Sequence, residues 1–440
     1  MKQRFVLHWK RQVNPADLML LLFALEGALL QFTGSINGFG NNLFATNLGA
    51  TDAQIGMIQM VPNLVALLLM LPLGILSDRL KSSRTVPMIM LWLMVAGYAL
   101  MGIVPMTAGL RMPMFFMALA FTAGGPVLYN AQWQNFFGDV IEVEKRNNVL
   151  TARNRFMFIV GIAAPILCGV LMGLCGTTEG KLMVLQVFFF ICAAVTLVQL
   201  AVVGRIKTPR REHQGNSISL YDVGTTIRSL AASRSFAMFF IPAVLFYMSW
   251  QMDWSMWYIG QTQYLGLNEA ELSITSGVFN VGQLVAVGVL SKIVRKRGAD
   301  YTFSFAALGL MFCPLIMMFC SILPQGARFI TFTVLMTVLN APQCAVNLCA
   351  VQILLRVSPQ ENRSLAVSLY TMTTTLTNCF MPLAGVQLYT LLGADYRAMI
   401  CFNVIVLVFR IFTLSLLVWR YKRLRGWGML PDTQLENRTN

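Results

Sequence analysis

Histidine is nearly absent from this chain. There are two in 440 residues, His8 and His213, and both lie outside the apolar runs. A histidine-built metal or proton site within those runs is therefore excluded. Charge is scarce too: Asp, Glu, Lys and Arg make up 12% of the residues against 57% hydrophobic, and mean hydropathy is +0.65. A soluble domain carries roughly 25% charged residues. Half that level, with apolar runs along the whole length, excludes a soluble globular class and reads as a polytopic membrane protein. No GxxxxGKS or GxxxxGKT phosphate loop occurs, so ATP-driven transport is not expected. No Ser/His or metal constellation falls in the apolar runs, so neither an enzyme nor a cofactor nor a metal is expected. The nine cysteines form no CxxC and no Cys/His cluster, and read as small packing residues.

What is present is a set of twelve apolar runs, roughly 18–38, 54–77, 86–106, 113–134, 157–175, 182–204, 236–258, 270–291, 301–321, 329–352, 365–391 and 396–419. Each reaches the ~20 residues that a bilayer-spanning helix needs. The longest polar stretch, Arg205 to Ser235, divides them six plus six. The expected fold is all-α, with an N-terminal half over 1–204, a linker over 205–235, a C-terminal half over 236–420 and a tail over 421–440. The start is basic (Lys2, Arg4, Lys10, Arg11) and then apolar from Leu18. It reads as an uncleaved first span rather than a signal peptide.

The net charge of +15 forms no basic stripe with interleaved aromatics, so nucleic acid is not an expected partner. Its placement sets orientation instead. Of the 33 Lys and Arg, only Arg111, Lys181, Arg328 and Arg397 fall in alternate loops, with Arg410 inside the last span. The excess side is cytoplasmic, which puts both termini inside, in the cell membrane.

The halves carry an internal repeat. Leu48-Gly49 recurs as Leu265-Gly266, Asn63 as Asn280, Asn130 as Asn347, Glu144-x-Arg146 as Glu361-x-Arg363 and Pro165 as Pro382, all 217 positions apart. After the second span comes Gly74-x-x-x-Asp78-Arg79-x-Lys81-x-x-Arg84. With twelve spans and a repeat, this loop resembles the signature loop of the major facilitator superfamily. Lys81 stands where that pattern has Gly, and Lys292 stands where the second-half copy would repeat Asp78. The resemblance covers about residues 15–420. It implies a monomeric secondary transporter working by alternating access, with the first, fourth, seventh and tenth spans lining the cavity. It also implies a cytoplasmic latch built from Gly74, Asp78, Arg79 and Arg84, with Arg146, Arg153 and Arg363 in the neighbouring loops. Topology-setting loop charge is the plain alternative for the basic residues.

Two acids lie inside apolar spans, and an intramembrane carboxyl marks a functional site by default. Glu26, with Gln31 beyond it on the first span, is a candidate proton-binding group. Asp253 lies in SWQMDWSMWYIGQTQY, where Trp250, Trp254 and Trp257, at i−3, i+1 and i+4, share one helix face with it. An acid among tryptophans suits an organic cation or a stacked ring; an interfacial tryptophan belt is the alternative. The fourth span offers Asn130 and Gln134, the tenth Asn340, Gln343 and Asn347, and the eleventh Asn378. Amides suit hydroxyl or amide groups on a solute, or simply bond between helices. Gly161-x-x-x-Pro165-x-x-x-Gly169 faintly resembles the Gly-Pro motif of proton-coupled antiporters, without its glycine before proline. The expected function is transport of a small organic solute coupled to H+, a drug-type antiporter first and a sugar or polyol symporter second. A membrane sensor on the same fold is a remoter alternative.

Overall fold

The computed structural model describes residues 15–80, 82–107, 109–208, 232–357 and 363–427. Among them every long regular element is a helix, as hydrocarbon requires of a chain that must satisfy its own backbone. The first half contains α1 (Pro15–Asn47), α2 (Asp52–Arg79), α3 (Thr85–Ile103), α4 (Arg111–Thr122), α5 (Gly124–Val140), α6 (Val143–Gly173) and α7 (Thr178–Arg205). A break at Ala123 divides α4 from α5 within one crossing. The second half contains α8 (Arg234–Gln251), α9 (Trp254–Ile259), α10 (Glu269–Met311), α11 (Cys313–Ser321), α12 (Gln325–Asn340), α13 (Gln343–Val357), α14 (Arg363–Leu391) and α15 (Tyr396–Gly426). A π turn over Gly260–Tyr264 continues α9.

Ten stretches of the described residues are long and apolar enough to cross a membrane. One of them, Glu269–Ser321, holds two crossings. Gly298 at φ 79° breaks α10, whose 43 residues would otherwise run about 65 Å, twice the hydrocarbon thickness. With α14, 29 residues long, the arrangement is consistent with the twelve crossings expected. The repeat is visible in the backbone. Gly49 and Gly266 both adopt positive φ, 91° and 69°, just after the first crossing of each half. The next N–H turns back in each case, Ala50 to Ala45 O and Leu267 to Gln261 O, both at 3.0 Å. Only glycine takes that conformation without a Cβ penalty.

The halves meet along two seams, α2 with α14 and α6 with α10. Small residues set the spacing there. A Cβ on Gly169 would stand 2.2 Å from the Ser273 side chain, and one on Gly277 would stand 2.7 Å from Ile166. Three polar contacts between the halves lie toward the face away from the termini, while Asn280 donates to Gly161 O at 3.3 Å deeper in the α6–α10 seam. Lys181 pairs with Glu269 at 2.7 Å, Gln263 donates to Asp52 at 3.2 Å, and the Thr46 and Tyr258 hydroxyls bond at 2.9 Å. They close this far face. Nearer the terminus-bearing face, Val285 and Val289 of α10 are exposed.

Candidate functional site

The seventh crossing is not one helix. α8 ends at Gln251, Asp253 takes φ −98° and ψ 3°, and α9 starts at Trp254. The break frees the carbonyls of Ser249 and Trp250. A second carbonyl gap follows from Pro314 on α11, which has no N–H for Leu310 O one turn before it. Arg410 of α15 fills both gaps. Its Nε donates to Ser249 O at 3.3 Å, Nη1 to Leu310 O at 2.5 Å and Nη2 to Trp250 O at 3.2 Å. Nη2 also donates to Asp253 Oδ1 at 2.6 Å, and both side chains of this ion pair are 2% exposed. The arginine thus serves three orphaned carbonyls and one buried carboxylate at once.

Asp253 and Arg410 form part of the wall of a cavity of about 190 Å³. Trp250, Trp254, Trp257, Phe279, Cys313, Asn340 and Gln343 complete it. The structure therefore brings together Trp250, Asp253, Trp254, Asn340 and Gln343, all expected from sequence. The rings of Trp250 and Trp254 meet edge-on at 6.3 Å. Asp253 Oδ2 and Asn340 Oδ1 are buried acceptors without a hydrogen-bond partner. A buried acceptor left open is costly, so these oxygens favour a ligand that donates. Trp257 joins them as the spacing around Asp253 led one to expect, and Arg410 completes the site without having been assigned to it from sequence.

Glu26 sits in a different place, inside the first half. Its Oε1 accepts from the Tyr129 hydroxyl at 2.9 Å and from Gln199 at 3.3 Å, and its Oε2 accepts from Arg153 Nε at 2.9 Å. Arg153 also lies over the Trp133 ring at 4.1 Å. The sequence groups Arg153 with the cytoplasmic latch, but the structure buries it against Glu26, joining α1 to α6. Arg84, grouped likewise, donates from Nη1 to Gly204 O and Ile206 O at 2.7 and 2.9 Å, stapling α3 to α7 within one half. Gln31 bonds Ser35 at 3.0 Å and lies beside Gly161. Asn130 and Gln134 are exposed on α5, and Asn378 Oδ1 on α14 is a buried acceptor with no partner. Gly74, Asp78 and Arg79 on α2, Arg146 on α6, Asn347 on α13 and Arg363 on α14 lie, as side chains, outside the described residues, as do the linker over 209–231 and the tail beyond 427.

A second cavity, about 210 Å³, opens between α1, α2 and the α4–α5 break. Asn37, Asn41, Asn42 and Gln59 give it four amides and no charge. Asn37 Nδ2 donates to Tyr98 Oη at 2.7 Å and to the Thr122 carbonyl at 2.6 Å, which leaves Oδ1 as a fixed, unpartnered acceptor. The sequence signal, GSINGFGNN at the end of α1, was available but reads as ordinary helix-end polarity.

The family model described as Major Facilitator Superfamily matches residues 21–338 and 239–427. No curated protein sequence matches the chain. Among solved structures, a point mutant of the nucleoside transporter NupG is 15% identical, with 92% of this chain and 99% of its own covered and a TM-score of 0.69. A bacterial homologue of the iron transporter ferroportin, in an inward-facing state, is 14% identical over 91% of this chain and 98% of its own, with a TM-score of 0.67. A POT family transporter in complex with 5-aminolevulinic acid is 12% identical over 92% and 97%, with a TM-score of 0.68. At these identities the likeness is one of fold.

Proposed function

This chain belongs to the major facilitator superfamily of membrane transporters, and from that premise we propose that it is a proton-coupled antiporter of an aromatic organic cation. The observation that carries this reading is the buried carboxylate of Asp253 in the wall of a cavity lined by three tryptophans. A cation over the indole faces and a proton on the same carboxyl exclude each other. That exclusion is the coupling of an antiporter. Glu26 fits the role less well, because three donors already surround it. The closed far face, with the termini cytoplasmic by the Lys/Arg bias, is the inward-open stage of an alternating-access cycle.

The test is transport into proteoliposomes of a labelled aromatic quaternary ammonium, driven by an imposed pH gradient. Asp253→Asn is expected to abolish gradient-driven accumulation. Glu26→Gln is expected to keep it, at some cost in stability. Full accumulation by Asp253→Asn removes Asp253 from the coupling; loss in Glu26→Gln alone transfers the role to Glu26.

The amide cavity favours a second reading, a symporter of a neutral polyol. Its fixed acceptors suit hydroxyl donors and carry no charge. Stabilisation by sugars, unaffected by Asp253→Asn and independent of pH, is the result that would select it.

A further inference from the structure

The two helices that hold the Asp253–Arg410 pair also meet at the terminus-bearing face, and there two arginines converge on one ring. Arg234 is the first residue of α8, and its guanidinium carbon lies 5.8 Å from the centroid of Trp427. Arg423, in the last turn of α15, lies 4.8 Å from the same ring and 5.1 Å from that of Trp419. Among the described residues no ion pair joins either arginine to a carboxylate. Two positive charges thus gather at one indole, without a fixed counter-charge among the described residues, and favour an anion there.

The surroundings say which anion. The segment 419–427 reads WRYKRLRGW, with no acid and with Lys422, Arg423 and Arg425 basic beside the buried Arg420. Lys292, Arg295, Lys296 and Arg297 lie where the chain turns at the break in α10. Asp300 beside them is buried and held by Arg420 at 2.6 Å and by Arg356, so it neutralises nothing at the surface. Trp419 is 48% exposed and Trp427 43%. Exposed tryptophans at helix ends sit at the level of lipid headgroups. A basic cluster directly beside a membrane-crossing helix attracts anionic lipid.

We propose that Arg234 and Arg423, with Trp427, clamp the phosphate of an anionic phospholipid in the leaflet at the terminus-bearing face. A phosphate takes charge-assisted hydrogen bonds from guanidinium donors and supplies the missing counter-charge. The bilayer is its source, because the rings that frame the clamp are exposed at headgroup level. The lipid braces α8 against α15 at one end, as Asp253 and Arg410 brace them in the interior. The clamp is independent of what the transporter carries.

The test uses the full chain in nanodiscs of phosphatidylcholine, with phosphatidylglycerol titrated in and melting followed. Phosphatidylglycerol is expected to raise the melting temperature of the unsubstituted protein and of an Arg397→Gln control at the far face. The double variant Arg234→Gln/Arg423→Gln should need roughly thirtyfold more phosphatidylglycerol for the same shift, the worth of two arginines near an anionic surface. In pure phosphatidylcholine the double variant should melt with the unsubstituted protein. An equal response to phosphatidylglycerol in the double variant overturns the clamp. So does a lower melting temperature in phosphatidylcholine, which assigns the pair to packing. An equal shift from inorganic phosphate alone overturns the lipid and leaves a free-anion site.

Discussion

Arg410 shows how much one residue can hold in a bilayer. It joins three crossings through carbonyls that two helix breaks set free, and it neutralises Asp253. Arg410→Met leaves a buried carboxylate unpaired and three carbonyls open. Breaking a buried pair from one side costs about 3–5 kcal/mol. A large drop in melting temperature in detergent is expected, and Arg410→Lys should recover only part of it, because a single ammonium cannot reproduce the planar fork. A melting temperature unchanged in Arg410→Met would refute this account. Asp253 was legible in the sequence as a rare acid among tryptophans; its partner was not. The two are 157 positions apart, and nothing local connects them. Arg153 shows the same limit. It follows Arg146 closely and so reads as loop charge, whereas its carboxylate lies 127 positions away in α1.

At the scale of the element, most of the architecture was legible, because hydropathy is a local property. The crossings, the division into halves and the repeated Leu-Gly pairs at 49 and 266 all come from runs and periods. The break at Asp253 did not show; the one at Phe312 follows from Pro314, a local signal, but the arginine that fills both gaps is distant in sequence. The α6–α10 seam depends on small residues. Gly169 belongs to the Gly-Pro-Gly run of α6, and its lack of a side chain admits Ser273 and the Glu269 carbonyl. Gly169→Val forces that seam apart, at a cost of about 1–3 kcal/mol to the closed far face. Spin-label distances across the far face should lengthen, and transport should fall. Unchanged distances would show that the seam does not set the closure.

For the whole molecule, the seal at the far face is thin: among the described residues, one ion pair, a few hydrogen bonds and glycine-spaced seams. Alternating access requires it to part. A Cβ on Gly173 would lie 3.2 Å from that of Ala270, close to the spacing of a disulfide, roughly 3.5–4.5 Å. In a background lacking the native cysteines, Gly173→Cys/Ala270→Cys should crosslink under oxidation, stop transport and recover on reduction. Transport that persists in the crosslinked protein would mean that the halves need not separate there. The buried charges do not follow the repeat: Glu26–Arg153 and Asp253–Arg410 stand at unmatched positions on one duplicated backbone. Arg410 also has a place in time. Ribosomes make the chain from the N-terminus, so α8 and α10 leave the ribosome before the helix that completes them. Until α15 arrives, Asp253 and the freed carbonyls have no cation, and the second half is an unfinished client of the insertion machinery. Its assembly is gated by a crossing synthesised after the ones it completes.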